Sequence, residues 1–167
     1  MPRSVLLLLA VTVWPSLVFF GHAFLPLVLS RQAVRLGWIQ NYPTWWNWTG
    51  ILLVGLGTAL FLWFWWVHVR EVASRDKLTL KPTPDYLLTC GPYRFSRNPA
   101  YVGAVDIWLG WTVFYGSCLV GIGALAWFLM LHFVVIPREE RGLADAFGQA
   151  YIEYKARVPR WLGKSRP

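Results

Sequence analysis

Hydrophobic positions in this chain fall into long unbroken runs rather than into a period of two. Val5 to Leu29 is apolar apart from Thr12, Pro15, Ser16, His22 and Pro26, which exceeds the ~20 residues that a spanning helix needs. It predicts a first membrane segment. Arg3 ahead of a Leu-rich run also resembles a signal peptide, but the run continues past Phe24 without a small-residue cleavage site, so a span is the expectation. Gly50 to Val69 predicts a second span, with Gly55, Gly57 and Ala59 small enough to let a neighbouring helix approach closely. Pro99 to Ile136 is too long for one crossing of a hydrocarbon core ~30 Å thick. It must fold back, and Tyr115-Gly116-Ser117 is the natural break. The result is a helical hairpin whose first arm is short.

The polar intervals are equally informative. Ser30 to Trp48 carries Arg31, Arg35 and the cluster Trp45, Trp46 and Trp48, which suits an interfacial aromatic belt. Arg70 to Asn98 is basic, and Pro82 and Pro84 discourage a continuous helix there, so it reads as a loop at a membrane face. After Ile136, Pro137 should end or kink the membrane helix. Leu143, Phe147, Tyr151, Tyr154 and Val158 then recur at spacings of three and four, the apolar face of one interfacial helix. At ~100° per residue Glu140 falls on that stripe and Glu139 at its edge. A carboxylate on a buried face needs a partner, and Arg94, Arg97 and Arg157 are the candidates.

The expected fold is therefore all-α: a single integral membrane domain over residues 1–167, a polytopic bundle of about four membrane segments with a cytoplasmic interfacial helix at the C-terminal side. Four segments put Arg3, the six basic residues of the second loop and the seven after Ile136 on one face, against Arg31 and Arg35 on the other. The positive-inside rule makes the crowded face cytoplasmic. An inner membrane of a bacterium is the expected location, with both polar motif regions on its cytoplasmic side.

Composition agrees. Hydrophobic residues make up 56% of the chain and charged ones only 14%, with 12 Trp, and the mean hydropathy is +0.43. A soluble domain is excluded. The net charge of +8 is distributed along segments flanking apolar runs and forms no separate basic domain, so membrane orientation explains it and nucleic acid is not an expected partner. Cys90 and Cys118 lack the spacing of a disulfide framework or a metal site, and no metal is expected.

Two stretches carry chemistry. Gly91 to Gly103 combines a Gly-Pro turn with Asn98-Pro99, a capping residue followed by the residue pre-set for a first helical position, so a helix should begin at Pro99. The start of that helix beside Arg94 and Arg97 favours a carboxylate or phosphate. The second stretch is Pro137 to Pro159. Asp106, an ionisable residue inside an apolar segment with Gly103 and Gly110 on its side, is a functional candidate by position, and a buried pairing with His22, His68, His132 or a Trp N–H is the plainer reading.

Gly-Pro-Tyr-Arg, then Arg-Asn-Pro-x-Tyr-x-Gly, then an apolar hairpin, then Glu-Glu-x-x-Leu-x-x-x-Phe-Gly-x-x-Tyr-x-x-Tyr-x-x-x-Val-Pro resembles the isoprenylcysteine carboxyl methyltransferase and phospholipid methyltransferase superfamily of integral membrane enzymes. The resemblance covers Leu87 to Pro159, and residues 1–86 carry no family signature. It implies S-adenosylmethionine as methyl donor, S-adenosylhomocysteine as product, and a lipid or prenylated acceptor. By position, Gly91, Tyr93, Arg97, Asn98, Pro99, Tyr101 and Gly103 would line the cofactor, and Glu139, Glu140 and Tyr151 would close it from the other side. Glu140, Arg157 and Asp106 are the candidate catalytic residues: Glu140 for a cationic donor, Arg157 for an acidic acceptor, Asp106 for a cationic one. The isoprenylcysteine enzymes usually read Arg-His-Pro where this chain reads Arg97-Asn98-Pro99, so any role that needs an imidazole there is lost.

Methyl transfer from a sulfonium disperses positive charge, so the residue types fit: aromatic faces and a carboxylate tolerate a cation, and a dry pocket positions the reactants. The acceptor stays open between a carboxylate, as in isoprenylcysteine O-methylation, an amine, as in phospholipid N-methylation, and a thiol. A non-enzymatic membrane transport or assembly protein is the reading from another class, and cofactor binding separates the two.

Overall fold

The computed structural model describes residues 18, 20–73 and 86–163. Most of the first predicted span lies outside them, as do Arg75, Lys77, Lys81, Pro82 and Pro84 of the second loop. The regular secondary structure among the described residues is helical apart from one two-residue strand pair.

A π-helical turn over Phe20–Phe24 leads into α1 (Leu25–Arg31), followed by β1 (Trp38–Ile39) and β2 (Tyr42–Pro43). The strands pair antiparallel, Trp38 with Pro43 and Ile39 with Tyr42, around Gln40 and Asn41, both at positive φ. Two consecutive left-handed residues give the turn whose twist matches that of a hairpin. Next come α2 (Thr49–Ala73), a 3-10 turn at Gly91–Arg94, α3 (Pro99–Tyr115) and α4 (Cys118–Met130). A π-helical turn at Leu131–Val135 joins α4 to α5 (Ile136–Phe147), and α6 (Gln149–Arg157) follows.

Two helical stretches among the described residues are long and apolar enough to cross a membrane, Thr49–Glu71 and Cys118–Phe147. The helix from Pro99 and the break at Tyr115-Gly116-Ser117 stand where the sequence puts them, Gly116 taking a left-handed φ of 56°. At 17 residues α3 is the short arm against the 30 residues of the continuous helical stretch Cys118–Phe147. Three expectations need correction. α2 runs past Val69 to Ala73, so Arg70 belongs to the helix and not to a loop. Of the two outcomes expected at Pro137, an end or a kink, the end does not occur: the π turn just before it rearranges the hydrogen-bond ladder where the proline lacks a donor, and the helix continues to Phe147. The single tail helix is two, split at Gly148, whose φ of 52° and ψ of −126° suit glycine alone.

The chain divides into two compact units. One comprises Met1–Leu56 and Val105–Ala126. Its hub is Asn47, fully buried, whose Nδ2 donates to the carbonyls of Leu36, Val113 and Phe114 at 3.1, 3.2 and 3.0 Å while Oδ1 accepts from the Thr44 N–H and hydroxyl. Val113 and Phe114 lie in the last turn of α3, where helical carbonyls lack partners, so one amide caps the helix. The Trp38 indole donates to the Phe114 carbonyl as well, at 2.9 Å. Arg35 lies over the rings of Trp38 and Tyr115 at 4.8 and 5.4 Å and donates to Ser30. Gly110 of α3 packs against the backbone of α2 at Gly50, where any side chain would collide.

The second unit comprises Gly57–Ala104 and Trp127–Pro167. Here Gly103 of α3 faces the Gly57 carbonyl of α2, and an added Cβ would stand 2.7 Å from that oxygen. Tyr151, Tyr154 and Val158 form a buried cluster with Leu87, Tyr93, Leu143, Ala144 and Phe147. The apolar stripe of the tail thus survives the break at Gly148, because α5 and α6 pack into one cluster. Residues 158–161 are held by the 96–98 segment: the Arg97 N–H donates to the Pro159 carbonyl at 2.9 Å, and the Ser96 hydroxyl and Asn98 Nδ2 both donate to the Arg160 carbonyl. Trp161 donates to His132 Nδ1 at 3.1 Å and stacks on its ring.

Candidate active site

All the site geometry lies in the second unit. The 3-10 turn starts at Gly91, which has a φ of 58° and no room for a Cβ beside Val67. This turn presents Tyr93, whose carbonyl accepts the Tyr154 hydroxyl at 2.8 Å. Burial pushes both phenols up, so both stay protonated at neutral pH and well above it. Ser96 Oγ accepts the Asn98 N–H at 3.0 Å, and the Asn98 side chain is directed at Arg160. Asn98 therefore ties the start of α3 to the segment after α6 through the Arg160 carbonyl, a bond that an amide N–H can make.

A cavity of about 480 Å³ opens among these elements, a size typical of small-molecule sites. Phe64 and His68 of α2 form one wall, Tyr93 and residues 97–101 another, and Glu139, Glu140, Tyr151 and Tyr154 come from α5 and α6. Eight of the sequence-predicted site residues line it: Tyr93, Arg97, Asn98, Pro99, Tyr101, Glu139, Glu140 and Tyr151.

The two glutamates differ in company. Glu140, only 6% exposed, receives Arg160 on both oxygens, Nε at 3.1 Å and an Nη at 2.9 Å. Arg97 approaches Oε1 at 3.0 Å and Lys155 approaches Oε2 at 3.4 Å. Three cations thus face one carboxylate, which stays ionised and leaves a surplus of positive charge beside the α3 N-terminus. Glu139 has no such set. Its Oε1 accepts the Tyr101 hydroxyl at 2.6 Å. Glu140 is therefore the anchor of an ion network, and Glu139 is the carboxylate that the cavity can use.

Four expected site residues are not brought to the cavity. Gly91 and Gly103 are held by conformation and by close packing, as above, and do not line it. Arg157 is exposed, its Nε directed at the Glu153 carbonyl at 3.4 Å, because the helical register that buries Tyr154 and Val158 turns it outward. Asp106, half-buried on α3, is absent from the lining as well. His68 lines the cavity and Arg160 holds Glu140, and the sequence singled out neither for the site. Arg160 follows the last motif residue, and only its position after Pro159 beside the tail hinted at a docked arginine; a lone histidine near the end of an apolar run was the sole signal for His68.

Among known proteins, the family model described as Phospholipid methyltransferase matches residues 45–150, which corrects the expectation that residues 1–86 carry no family signature, since the match takes in the whole of α2. Protein-S-isoprenylcysteine O-methyltransferase of Xenopus laevis is 36% identical over 103 residues, 57% of this chain and 31% of its own length. The protein of the same name from Homo sapiens is 30% identical over 125 residues, 71% of this chain and 42% of its own length. An uncharacterized protein of Haemophilus influenzae is 37% identical over 62 residues, 37% of this chain and 98% of its own length. This chain thus spans less than half the length of the two isoprenylcysteine relatives. No solved structure matches it. With a family match over more than half the chain, and the Arg97–Tyr101 and Glu139–Glu140 segments meeting at one cavity, the chain belongs to the phospholipid methyltransferase family of membrane methyltransferases.

Proposed function

We propose that this protein is an S-adenosylmethionine-dependent methyltransferase that acts on a lipid or similarly hydrophobic acceptor at the cytoplasmic face of a membrane. The observation that carries the reading is the cavity itself, in which two motif stretches about 40 residues apart supply facing groups of complementary kinds.

The donor's demands are met by residues present there. A methionine-type carboxylate suits Arg97, the surplus positive charge around Glu140 and the N-terminal end of α3 at Pro99. A sulfonium suits the aromatic faces of Tyr93, Tyr101 and Tyr151. Glu139 offers one acceptor oxygen pair to a ribose hydroxyl or to the positive end of the donor. When bound, the cofactor supplies an electrophilic methyl group. The protein's own part is positioning and exclusion of water: Asn98 holds the Arg160 segment beside the start of α3, Arg160 fixes Glu140, Tyr154 ties α6 to the 3-10 turn, and the phenols remain protonated hydrogen-bond donors.

The reading is tested by thermal melting of the detergent-purified protein with S-adenosylhomocysteine. A ligand that binds only the folded state at 100 times its Kd adds about 2.7 kcal/mol. An upward shift in melting temperature is expected, and the absence of any shift at saturating concentration would favour a non-enzymatic membrane protein.

A further inference from the structure

The charged groups of the cavity do not balance. Four cations, Arg97, Arg138, Lys155 and Arg160, stand in or beside it against two carboxylates, Glu139 and Glu140. Arg97, Lys155 and Arg160 all converge on Glu140, and Glu139 accepts the Tyr101 hydroxyl. Arg138 is left over. It lines the cavity, it is exposed, and among the described residues it makes no hydrogen bond or ion pair.

The methyl donor does not supply the missing anion. Its carboxylate goes to the Arg97 cluster and the start of α3 in the reading above, and its ammonium and sulfonium make it a net cation, so a loaded site is more positive than an empty one. The counter-charge for Arg138 must therefore come with the second reactant.

Depth points the same way. Arg138 is the first Asp, Glu, Lys or Arg after the apolar run that starts at Cys118, roughly 30 Å along the helix at 1.5 Å per residue, which is the thickness of a hydrocarbon core. It stands at the level of lipid headgroups, and Phe64, Leu87, Leu88 and Leu143 give the same cavity its apolar lining. An amphiphile whose tail lies against those side chains brings its head to Arg138.

Resting on the methyltransferase reading, we infer that Arg138 is a specificity-determining residue that takes an oxyanion on the acceptor's head, either the phosphodiester of an amine phospholipid or the carboxylate of a prenylated cysteine. A planar guanidinium presents parallel N–H donors that match both groups. A plain long-chain amine or thiol leaves Arg138 without its counter-charge and is a poor substrate. Arg157, which the resemblance matched to an acidic acceptor, does not line the cavity, and Arg138 takes that part.

The experiment compares wild type with Arg138→Gln and Arg138→Lys in dodecyl maltoside micelles, with labelled S-adenosylmethionine and four acceptors. Phosphatidylethanolamine and N-acetyl-S-farnesylcysteine carry the two oxyanions and distinguish phosphodiester from carboxylate, whereas oleylamine and dodecanethiol carry none. Wild type is expected to methylate one of the first two at least about 10-fold more efficiently than either of the others. Arg138→Gln should raise KM for that acceptor about 10-fold, as loss of a charged hydrogen bond does, with kcat changed less than about twofold, and Arg138→Lys should recover part of the loss. Because Arg138 is exposed and bonded to no other described residue, Arg138→Gln should melt like wild type and bind S-adenosylhomocysteine equally well. A second readout needs no turnover: binding of the working acceptor to the S-adenosylhomocysteine complex, followed by thermophoresis, should weaken by the same factor. An unchanged KM in Arg138→Gln, a loss confined to kcat, an equal loss for oleylamine or dodecanethiol, or transfer to neither oxyanion acceptor would overturn the inference. Failure of the wild type to bind S-adenosylhomocysteine would instead overturn the methyltransferase reading beneath it.

Discussion

Arg160 holds Glu140 through two parallel hydrogen bonds, 3.1 and 2.9 Å long, and so fastens the end of the described chain onto the helix that carries the paired glutamates. Arg97 reaches the same carboxylate at 3.0 Å from the segment before α3. One buried carboxylate thereby joins three stretches that are far apart in sequence.

Removing one member of such a buried group leaves charges without partners. Glu140→Gln should lower stability by about 3 kcal/mol, read as a fall in melting temperature in detergent. Arg160→Lys, which keeps the charge but loses the planar fork, should cost less than Arg160→Ala. Equal melting of wild type and Glu140→Gln would show the network to be of no structural consequence.

Glu139 should behave in the opposite way. It anchors nothing beyond the Tyr101 hydroxyl, so Glu139→Gln is expected to melt within a degree or two of wild type while weakening S-adenosylhomocysteine binding about 10-fold, as removal of a charged hydrogen-bond acceptor does. This moves to Glu139 the part toward the cationic donor that the sequence resemblance gave to Glu140. Calorimetric titration of both variants decides between them, and a greater affinity loss per folded molecule for Glu140→Gln would restore the earlier view.

Close approach of α3 to α2 at Gly103 predicts that Gly103→Ala destabilises by about 1–3 kcal/mol, the usual cost of overpacking, because the new methyl would meet a backbone carbonyl that cannot swing aside. A variant as stable as wild type would mean that the two helices separate freely there.

Orientation is open to chemical labelling. With Cys90 and Cys118 replaced, single cysteines at positions 94 and 153 should react with an impermeant thiol reagent from the cytoplasmic side, and one at position 40 from the other. Labelling of positions 94 and 153 from opposite faces would contradict a shared cytoplasmic site.

Much of this was legible in local sequence. Asn98-Pro99 fixed the start of α3, Tyr115-Gly116-Ser117 its end, and the spacing of Leu143, Phe147, Tyr151, Tyr154 and Val158 marked the face that packs, because each depends on residues within a turn or two. The burial of Glu140 followed from the same periodicity. Long-range pairing was not legible. Nothing local distinguishes Arg160, which reaches Glu140, from Arg157, which the helix turns to solvent. Nor does a proline announce whether a π turn will absorb it, as happens before Pro137, or whether the helix will stop. Asp106 drew attention as a carboxylate in an apolar run, but cavity geometry, not local polarity, decides which residues meet a ligand.

The most direct measurement is methyl transfer itself. Wild-type protein in vesicles of total membrane lipid, supplied with S-adenosylmethionine labelled in the methyl group, should yield a labelled, lipid-extractable product that mass spectrometry identifies by a gain of one methyl, and Arg97→Ala should yield at least about 10-fold less, as loss of a charged contact to the donor requires. Equal label from Arg97→Ala, or none from the folded wild type, would contradict the assignment of this cavity as the site of transfer.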